Sequence, residues 1–134
     1  YDYILIDCPP SLGIVTTNAF VASTDIYVPL TAEALPLKGM RMLEEYIGAI
    51  RVIKKDLRIT GVFITRYNNR NLNNVVDSQI KKAYEGVVFE TRIRENISLA
   101  EVPLSGGNIY EYAPTSNGAN DYKSLTEEII ARNK

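Results

Sequence analysis

The chain of 134 residues contains no histidine, no tryptophan and a single cysteine. Without histidine, these residues can form no Ser-His-Asp triad, no histidine-ligated zinc site and no imidazole pH switch. The one cysteine, Cys8, excludes an internal disulfide and is compatible with a reducing compartment. Because no histidine can activate its thiol, we expect Cys8 to be a small buried side chain rather than a nucleophile.

Charge of one sign and long apolar runs are also missing. The formal net charge is -1, which excludes a globally basic nucleic-acid-binding protein but allows a local basic patch. No apolar stretch is long enough to cross a bilayer, and this N-terminus carries no signal peptide, so we expect a cytoplasmic location. Hydrophobic residues make up 46% of the chain. With this length, that composition predicts one globular domain over residues 1–134.

The first residues combine an apolar run, a carboxylate and two prolines. Residues 3–7 read Tyr-Ile-Leu-Ile-Asp, and Pro9 and Pro10 follow almost at once. A buried charge is costly, so we expect Asp7 at the carboxyl edge of a parallel sheet, where open α/β folds bind ligands. An aspartate in this position can also serve only as a turn former or a helix cap. The chain starts without Met inside a predicted strand, so we expect it to be part of a longer protein.

Strand and helix patterns alternate along the rest of the chain. Short apolar runs predict strands at residues 26–30, 59–65 and 87–89, and a continuation of the last strand near Ile93 is left open. Amphipathic stripes predict helices over residues 11–22, 36–54, 72–84 and 116–132, with a short helix within 96–103. Ser11 is the expected cap of the first of these helices. This alternation predicts a three-layer α/β fold with a mainly parallel sheet and flanking helices.

Four blocks of the sequence, in order, resemble the ParA/MinD family of deviant Walker A P-loop ATPases. They read YDYILIDCPPSLGIVTTNAF, TRYNNRNLNNVV, IRENISLAEVPLSGGNIYEY and TSNGANDYKSLTEEI, and they are most similar to the ParA/Soj partition ATPases. The resemblance begins at the Walker B strand and implies a P-loop NTPase-like fold whose N-terminal half is missing here. No Gly-Lys-Thr or Gly-Lys-Ser phosphate loop occurs in these residues. We therefore expect the isolated chain to have no ATPase activity.

The resemblance also implies cofactors and site residues. It implies ATP and Mg²⁺, an ATP-dependent homodimer, and a role in partitioning a chromosome, plasmid or other mobile element with a ParB-like activating protein. Asp7 matches the aspartate that contacts magnesium, usually through water. Pro9 and Pro10 match the start of switch II, which senses the γ-phosphate. Three further residues match loops near the adenine and the DNA-facing side of the dimer: Asn68, Arg94 and Asn96.

Arg70 matches an arginine that contacts DNA in ParA/Soj-like members. Such contacts to phosphates give affinity without sequence preference. Residues 66–94 carry six basic and three acidic side chains, but ordinary charges on a solvated surface explain this excess as well as DNA binding does. Two positions depart from the family pattern, because Glu95 stands where an arginine is expected and Ser98 where many members have arginine. DNA binding is therefore expected to depend mainly on Arg70.

Two other functions stay open, and one consequence for assembly follows. A half-fold of this kind can be a non-catalytic interaction domain that has lost nucleotide chemistry. A MinD-like positioning ATPase would use a basic amphipathic tail at the membrane. Residues 127–134 are acidic and then only briefly basic, so no membrane partner is expected. Without the phosphate-loop strand beside it, the strand at 3–7 would have an unpaired edge, and we expect self-association there.

Overall fold

The computed structural model describes residues 1–32, 36–68 and 71–133, without the side chains of Pro36, Asn71 and Leu72. Within these residues the strands are β1 (Ile26–Thr31), β2 (Ile59–Tyr67) and β3 (Val88–Arg94). The helices are α1 (Ile14–Ala22), α2 (Pro36–Ile50), α3 (Asn71–Ala83), α4 (Ile97–Ser105), α5 (Ile109–Tyr112) and α6 (Asn117–Arg132).

The three strands form one parallel sheet in the order β1-β2-β3. Parallel neighbours need a crossover connection, and α2 and α3 supply the two crossovers here. Successive side chains of a strand point to opposite faces. On β2, Val62 therefore packs with α2 and α3 on one face, while Phe63 packs with α6 on the other. The parallel sheet with flanking helices confirms the predicted α/β fold of the P-loop NTPase-like type.

Helices cover both faces of the sheet. The core on the first face is formed by Ala32, Met40, Val62, Ile64, Val76, Ile80 and Val88. A second cluster extends it to α1 and consists of Phe20, Ile26, Ile47, Ile50 and Leu57. On the opposite face α6 packs on β3 through Phe89, Ile93 and Leu125. Each fully buried aliphatic or aromatic side chain of this kind contributes about 1.5–3 kcal/mol to folding.

Most predicted elements are confirmed, with shifted ends. β2 continues to Tyr67 and β3 continues to Arg94, so both reach farther towards the carboxyl edge of the sheet than predicted. Ser116, the first residue of the predicted terminal helix, is the N-cap of α6, and its hydroxyl accepts the N–H of Ala119 at 3.2 Å. Ser11 is not the cap of α1, because Gly13 occupies that position.

The strand predicted at residues 3–7 is wrong for this structure. Residues 1–9 belong to no helix or strand, and the side chains of Ile4 and Leu5 are 80% and 90% exposed. A strand forms only where its backbone groups pair with a neighbour. Among the described strands, none pairs with this segment. The apolar pattern therefore indicates a buried environment that these residues do not have here.

Candidate functional site

A groove of about 780 Å³ lies between the N-terminal segment and β1. The segment lines it with residues 6–10, and β1 lines it with residues 26–29. Thr16 and Phe20 of α1 and Leu43 of α2 complete the walls. Three residues that the family resemblance assigns to nucleotide hydrolysis lie together in this groove: Asp7, Pro9 and Pro10.

The carboxylate of Asp7 suits a magnesium ion that is held mainly by other ligands. Asp7 is exposed, and Asp25 is a second carboxylate that lines the same groove. Mg²⁺ prefers oxygen ligands and is commonly bound by one or two carboxylates together with waters and substrate phosphates. In the described part of the chain, no three Asp, Glu or Cys side chains lie close enough to form a metal site alone. The donor set therefore fits an ion whose remaining ligands come from water and nucleotide.

Cys8 also lines this groove and is partly exposed, which corrects the expectation of a buried thiol. Its Sγ donates to the carbonyl oxygen of Ile6 at 3.8 Å. The expectation assumed a buried strand before Cys8, but the residues of that run are exposed in this structure.

The second candidate region is the carboxyl edge of the sheet, where the strands end side by side. Asn73, near the start of α3 and only 7% exposed, joins two of these ends. Its Nδ2 donates to the carbonyl oxygen of Ala32 at 2.6 Å, and its Oδ1 accepts the N–H of Asn68 at 2.9 Å. The hydroxyl of Tyr67 donates to Oδ1 of Asn74 at 2.6 Å. Tyr67 and Asn68, at the end of β2, are thus both bound to side chains of α3.

Arg66, near the end of β2, has an unusual backbone conformation. Its φ is 51°, in the left-handed region that costs a side-chain-bearing residue about 1–2 kcal/mol. The register between β2 and β3 shifts between Ile64 and Tyr67, on either side of this residue. Such strain is concentrated at functional sites, which makes the end of β2 a candidate binding position.

Glu95 connects the ends of β2 and β3. One carboxylate oxygen lies 3.7 Å from Nη2 of Arg66, and the other accepts from Nδ2 of Asn68 at 3.4 Å. The backbone N–H of Glu95 donates to the carbonyl oxygen of Tyr67 at 3.0 Å. The acid that replaces the expected arginine therefore lies directly against a basic side chain and a predicted site residue.

Arg94, predicted to lie near the adenine, is held by Asp121 of α6. Its Nη2 lies 2.7 Å from Oδ1 of Asp121, its Nε lies 3.0 Å from Oδ2, and its backbone N–H donates to the same Oδ2 at 2.9 Å. The hydrogen bond to Asp121 raises the pKa of Arg94 above its ordinary value. Asp121 was not identified from the sequence. Its position four residues before Leu125, on the buried side of α6, is the signal that indicates it.

Two further residues were predicted at this edge, Asn96 and Arg70. Asn96 is the N-cap of α4, where its Oδ1 accepts the N–H of Leu99 at 3.3 Å. Arg70 lies outside the described residues. The nucleotide roles of Asn68, Arg94 and Asn96 and the DNA contact of Arg70 therefore stay predictions.

The positive excess between residues 66 and 94 is largely neutralised by acidic partners. Arg92 forms two contacts with Asp77, at 2.6 Å and 2.9 Å, and the hydrogen bond to Asp77 raises the pKa of Arg92. Lys81 pairs with Glu90 at 2.7 Å. Of the five basic side chains in this range that the structure describes, four have a carboxylate within 4 Å when the pairs of Arg66 and Arg94 are included. This pattern favours ordinary surface pairing over a ready-made phosphate-binding patch.

The parallel sheet, its helical layers and the polar side chains at its carboxyl edge define a P-loop NTPase-like α/β protein. A family model described as an AAA domain matches residues 1–59. The chain is 40% identical to the sporulation initiation inhibitor protein Soj of Bacillus subtilis. It is 38% identical to the chromosome-partitioning ATPase Soj of Treponema pallidum and 34% identical to the chromosome partitioning protein ParA of Myxococcus xanthus.

Each of these alignments covers 98% of the chain. They cover 53%, 53% and 47% of the three proteins, so the chain spans about half the length of the curated relatives it matches. Over nearly its whole length, the chain is a homologue of the Soj/ParA chromosome-partitioning ATPases. The resemblance of the four sequence blocks is thereby confirmed.

Within the described ranges, no helix has both the length and the apolar character that a membrane crossing requires.

Proposed function

We propose that the full-length protein is a ParA-type ATPase that partitions a chromosome, plasmid or other mobile element. The observation that carries this proposal is the 40% identity to Soj over 98% of the chain. We propose ATP and Mg²⁺ as its cofactors and an ATP-dependent homodimer as its active form. That dimer binds DNA without sequence preference on the nucleoid, in the cytoplasm, and a ParB-like protein stimulates its hydrolysis.

In this proposal Asp7 would help to hold a magnesium ion, which would supply the charge neutralisation that phosphoryl transfer needs. Pro9 and Pro10 follow the carboxylate within the same groove wall. Proline fixes φ near −65°, so this pair restricts how the segment after Asp7 moves when a γ-phosphate is present. The side chains of Asn68, Arg94 and Asn96 contact the nucleotide from the carboxyl edge of the sheet.

The experiment that tests this proposal is ATP hydrolysis by the full-length protein carrying Asp7→Asn. A carboxylate that acts on the metal through water is worth about 10- to 100-fold in activity, so we expect a loss of that size in magnesium-dependent turnover. Asp56→Asn is the matched control, because it removes the same charge from an exposed position that does not line the groove. Unchanged turnover in Asp7→Asn would contradict the role of Asp7, and a wild type without magnesium-dependent turnover would favour a non-catalytic interaction domain. The isolated 134-residue chain is expected to be inactive, and hydrolysis by that chain that is lost on Asp7→Ala would contradict this expectation.

The proposed DNA contact is tested by Arg70→Ala in the full-length protein with ATP. Removing one contact to phosphate should weaken duplex binding for all sequences and reduce the magnitude of the salt slope by about 1. Arg58→Ala is the control, since Arg58 is exposed at the opposite, amino end of β2. Equal affinities and slopes for the two variants would contradict the assignment of Arg70.

A further inference from the structure

We propose that Glu95 limits DNA binding at the carboxyl edge of the sheet by holding Arg66 away from phosphate groups. This inference rests on the proposed DNA-binding function. It assigns a restraining role to an acidic residue that interrupts the basic pattern of this edge.

The geometry places the carboxylate of Glu95 directly at the exposed guanidinium. Arg66 and Glu95 are joined at 3.7 Å, and their side chains are 62% and 55% exposed. The backbone of Glu95 is fixed by its hydrogen bond to Tyr67, and its second oxygen contacts Asn68. The carboxylate is therefore oriented by the fold, whereas both members of the pair are accessible to a ligand from solvent.

The energetics of this pair allow a phosphate to compete for Arg66. An exposed ion pair contributes little to stability, because water screens its charges. A phosphate that contacts Arg66 would have the Glu95 carboxylate a few ångströms away. Repulsion between two unit charges at such a distance corresponds to about a threefold to tenfold loss of affinity in a well-solvated setting. Glu95 thus weakens the binding of a phosphate to Arg66 in two ways: it occupies the guanidinium, and it repels a phosphate that is bound there.

The neighbouring arginine is in a different situation. Arg94 is bound by Asp121 through several hydrogen bonds, and the Asp121 side chain is only 11% exposed. Removing a charge that is nearly buried and fully paired is costly, so Arg94 is unsuited to exchange its partner for a phosphate. Of these two pairs, the Arg66 pair is the longer and more exposed one, which identifies Glu95 as the residue whose removal should change affinity.

The test is equilibrium binding of a short labelled DNA duplex by the full-length protein with ATP, measured across a series of salt concentrations. Glu95→Gln should bind about threefold to tenfold more tightly than the wild type at low salt, and the gain should shrink as salt rises. Glu127→Gln is the matched control. It removes the same charge from an exposed position on α6, next to Glu128, which contacts Glu90 and Thr91 of β3.

A second comparison shows whether Arg66 mediates the effect. In an Arg66→Gln background, Glu95→Gln should give no gain, because the guanidinium that pairs with Glu95 is gone. A gain that persists there, or equal affinities of Glu95→Gln and Glu127→Gln, would overturn the inference while the proposed DNA binding stands. If neither the wild type nor Glu95→Gln binds at the lowest salt, both proposals fail. Binding by Glu95→Gln alone would support both.

Discussion

The two outer edges of the sheet differ in how their backbone groups are covered. The outer edge of β3 is covered by α6, whose side chains take the place of a further strand. The outer edge of β1 faces the groove beside the N-terminal segment. An uncovered strand edge invites pairing with another chain, and proteins protect such edges with side chains, prolines or bulges. The sheet uses two of these devices, one at each edge.

At β3 the covering groups are charged side chains of α6. The carboxylate of Glu128 accepts the N–H groups of Glu90 and Thr91, each at 2.9 Å. Arg132 donates to the carbonyl oxygen of Val88 at 2.8 Å and lies over the ring of Phe89 at 4.1 Å. Farther along the strand, Asp121 accepts the N–H of Arg94 in the same way. Backbone groups that would bind another strand are thus already satisfied.

At the outer edge of β1, pairing with another strand is weakened because one backbone N–H donor is missing. The N–H of Ala32 donates to the carbonyl oxygen of Thr65, and the carbonyl oxygen of Leu30 accepts from the Thr65 hydroxyl. Even-numbered residues therefore direct their backbone groups towards β2, and odd-numbered ones direct them outwards. Pro29 falls on the outward side and has no N–H. The β1 edge can accept a strand, but with one hydrogen bond fewer, so it is the edge at which we now expect the self-association that the sequence placed at residues 3–7.

The largest effect on stability is expected where side chains of the two edge strands meet over β2. Tyr27 of β1 and Phe89 of β3 meet across Gly61 of β2, with ring centroids 5.8 Å apart. A Cβ on Gly61 would overlap the Phe89 ring and lie 2.7 Å from Cδ1 of Tyr27. Because both rings must move, Gly61→Ala should lower the free energy of unfolding by about 3 kcal/mol, measured by urea denaturation.

Gly48→Ala is the control for that substitution. Gly48 lies within α2, and a Cβ there meets no atom within 4 Å. Replacing a glycine inside a helix by alanine should raise stability by about 0.5–1 kcal/mol. If both variants shift the unfolding midpoint in the same direction, the contact between the edge strands is less tight than described.

The second-largest effect on stability is expected at the edge of β3, which α6 covers. Glu128→Gln should lower the free energy of unfolding by about 2 kcal/mol at neutral pH, since one N–H of β3 loses its carboxylate acceptor. Burial of Glu128 opposes its ionisation, but hydrogen bonds from Glu90 and Thr91 and the charge of Arg132 outweigh burial and lower its pKa below 4.5. The stabilisation is therefore present above pH 4.5 and is lost as pH falls through the lowered pKa.

Denaturation of the wild type and Glu128→Gln from neutral pH to pH 3 checks this sign. The difference in unfolding free energy between the two proteins should become smaller only at acidic pH. Glu127→Gln, which removes the adjacent exposed carboxylate, should show little difference at any pH. If the difference in unfolding free energy between the wild type and Glu128→Gln stays constant from neutral pH to pH 3, Glu128 does not act as an ionised acceptor.

The covered edge also shows why some features could be predicted from the sequence and others could not. The helix α6 follows from local periodicity, so it was predicted. Glu128 and Asp121 were not assigned their roles, because these depend on strand groups distant in sequence. The region around Asp7 was identified as a unit, yet its predicted strand is absent, since pairing needs a neighbour that periodicity cannot supply.

The smallest effect is expected at the open edge and tests whether Pro29 protects it. Pro29→Ala restores one outward N–H to β1. One additional hydrogen bond of about 1 kcal/mol should strengthen self-association of the 134-residue chain about fivefold, measured by sedimentation equilibrium. Pro114→Ala, at an exposed position before α6, controls for the loss of a proline. Equal association by the two variants, or a wild-type chain that stays monomeric at every concentration, would show that β1 is not the edge through which copies pair.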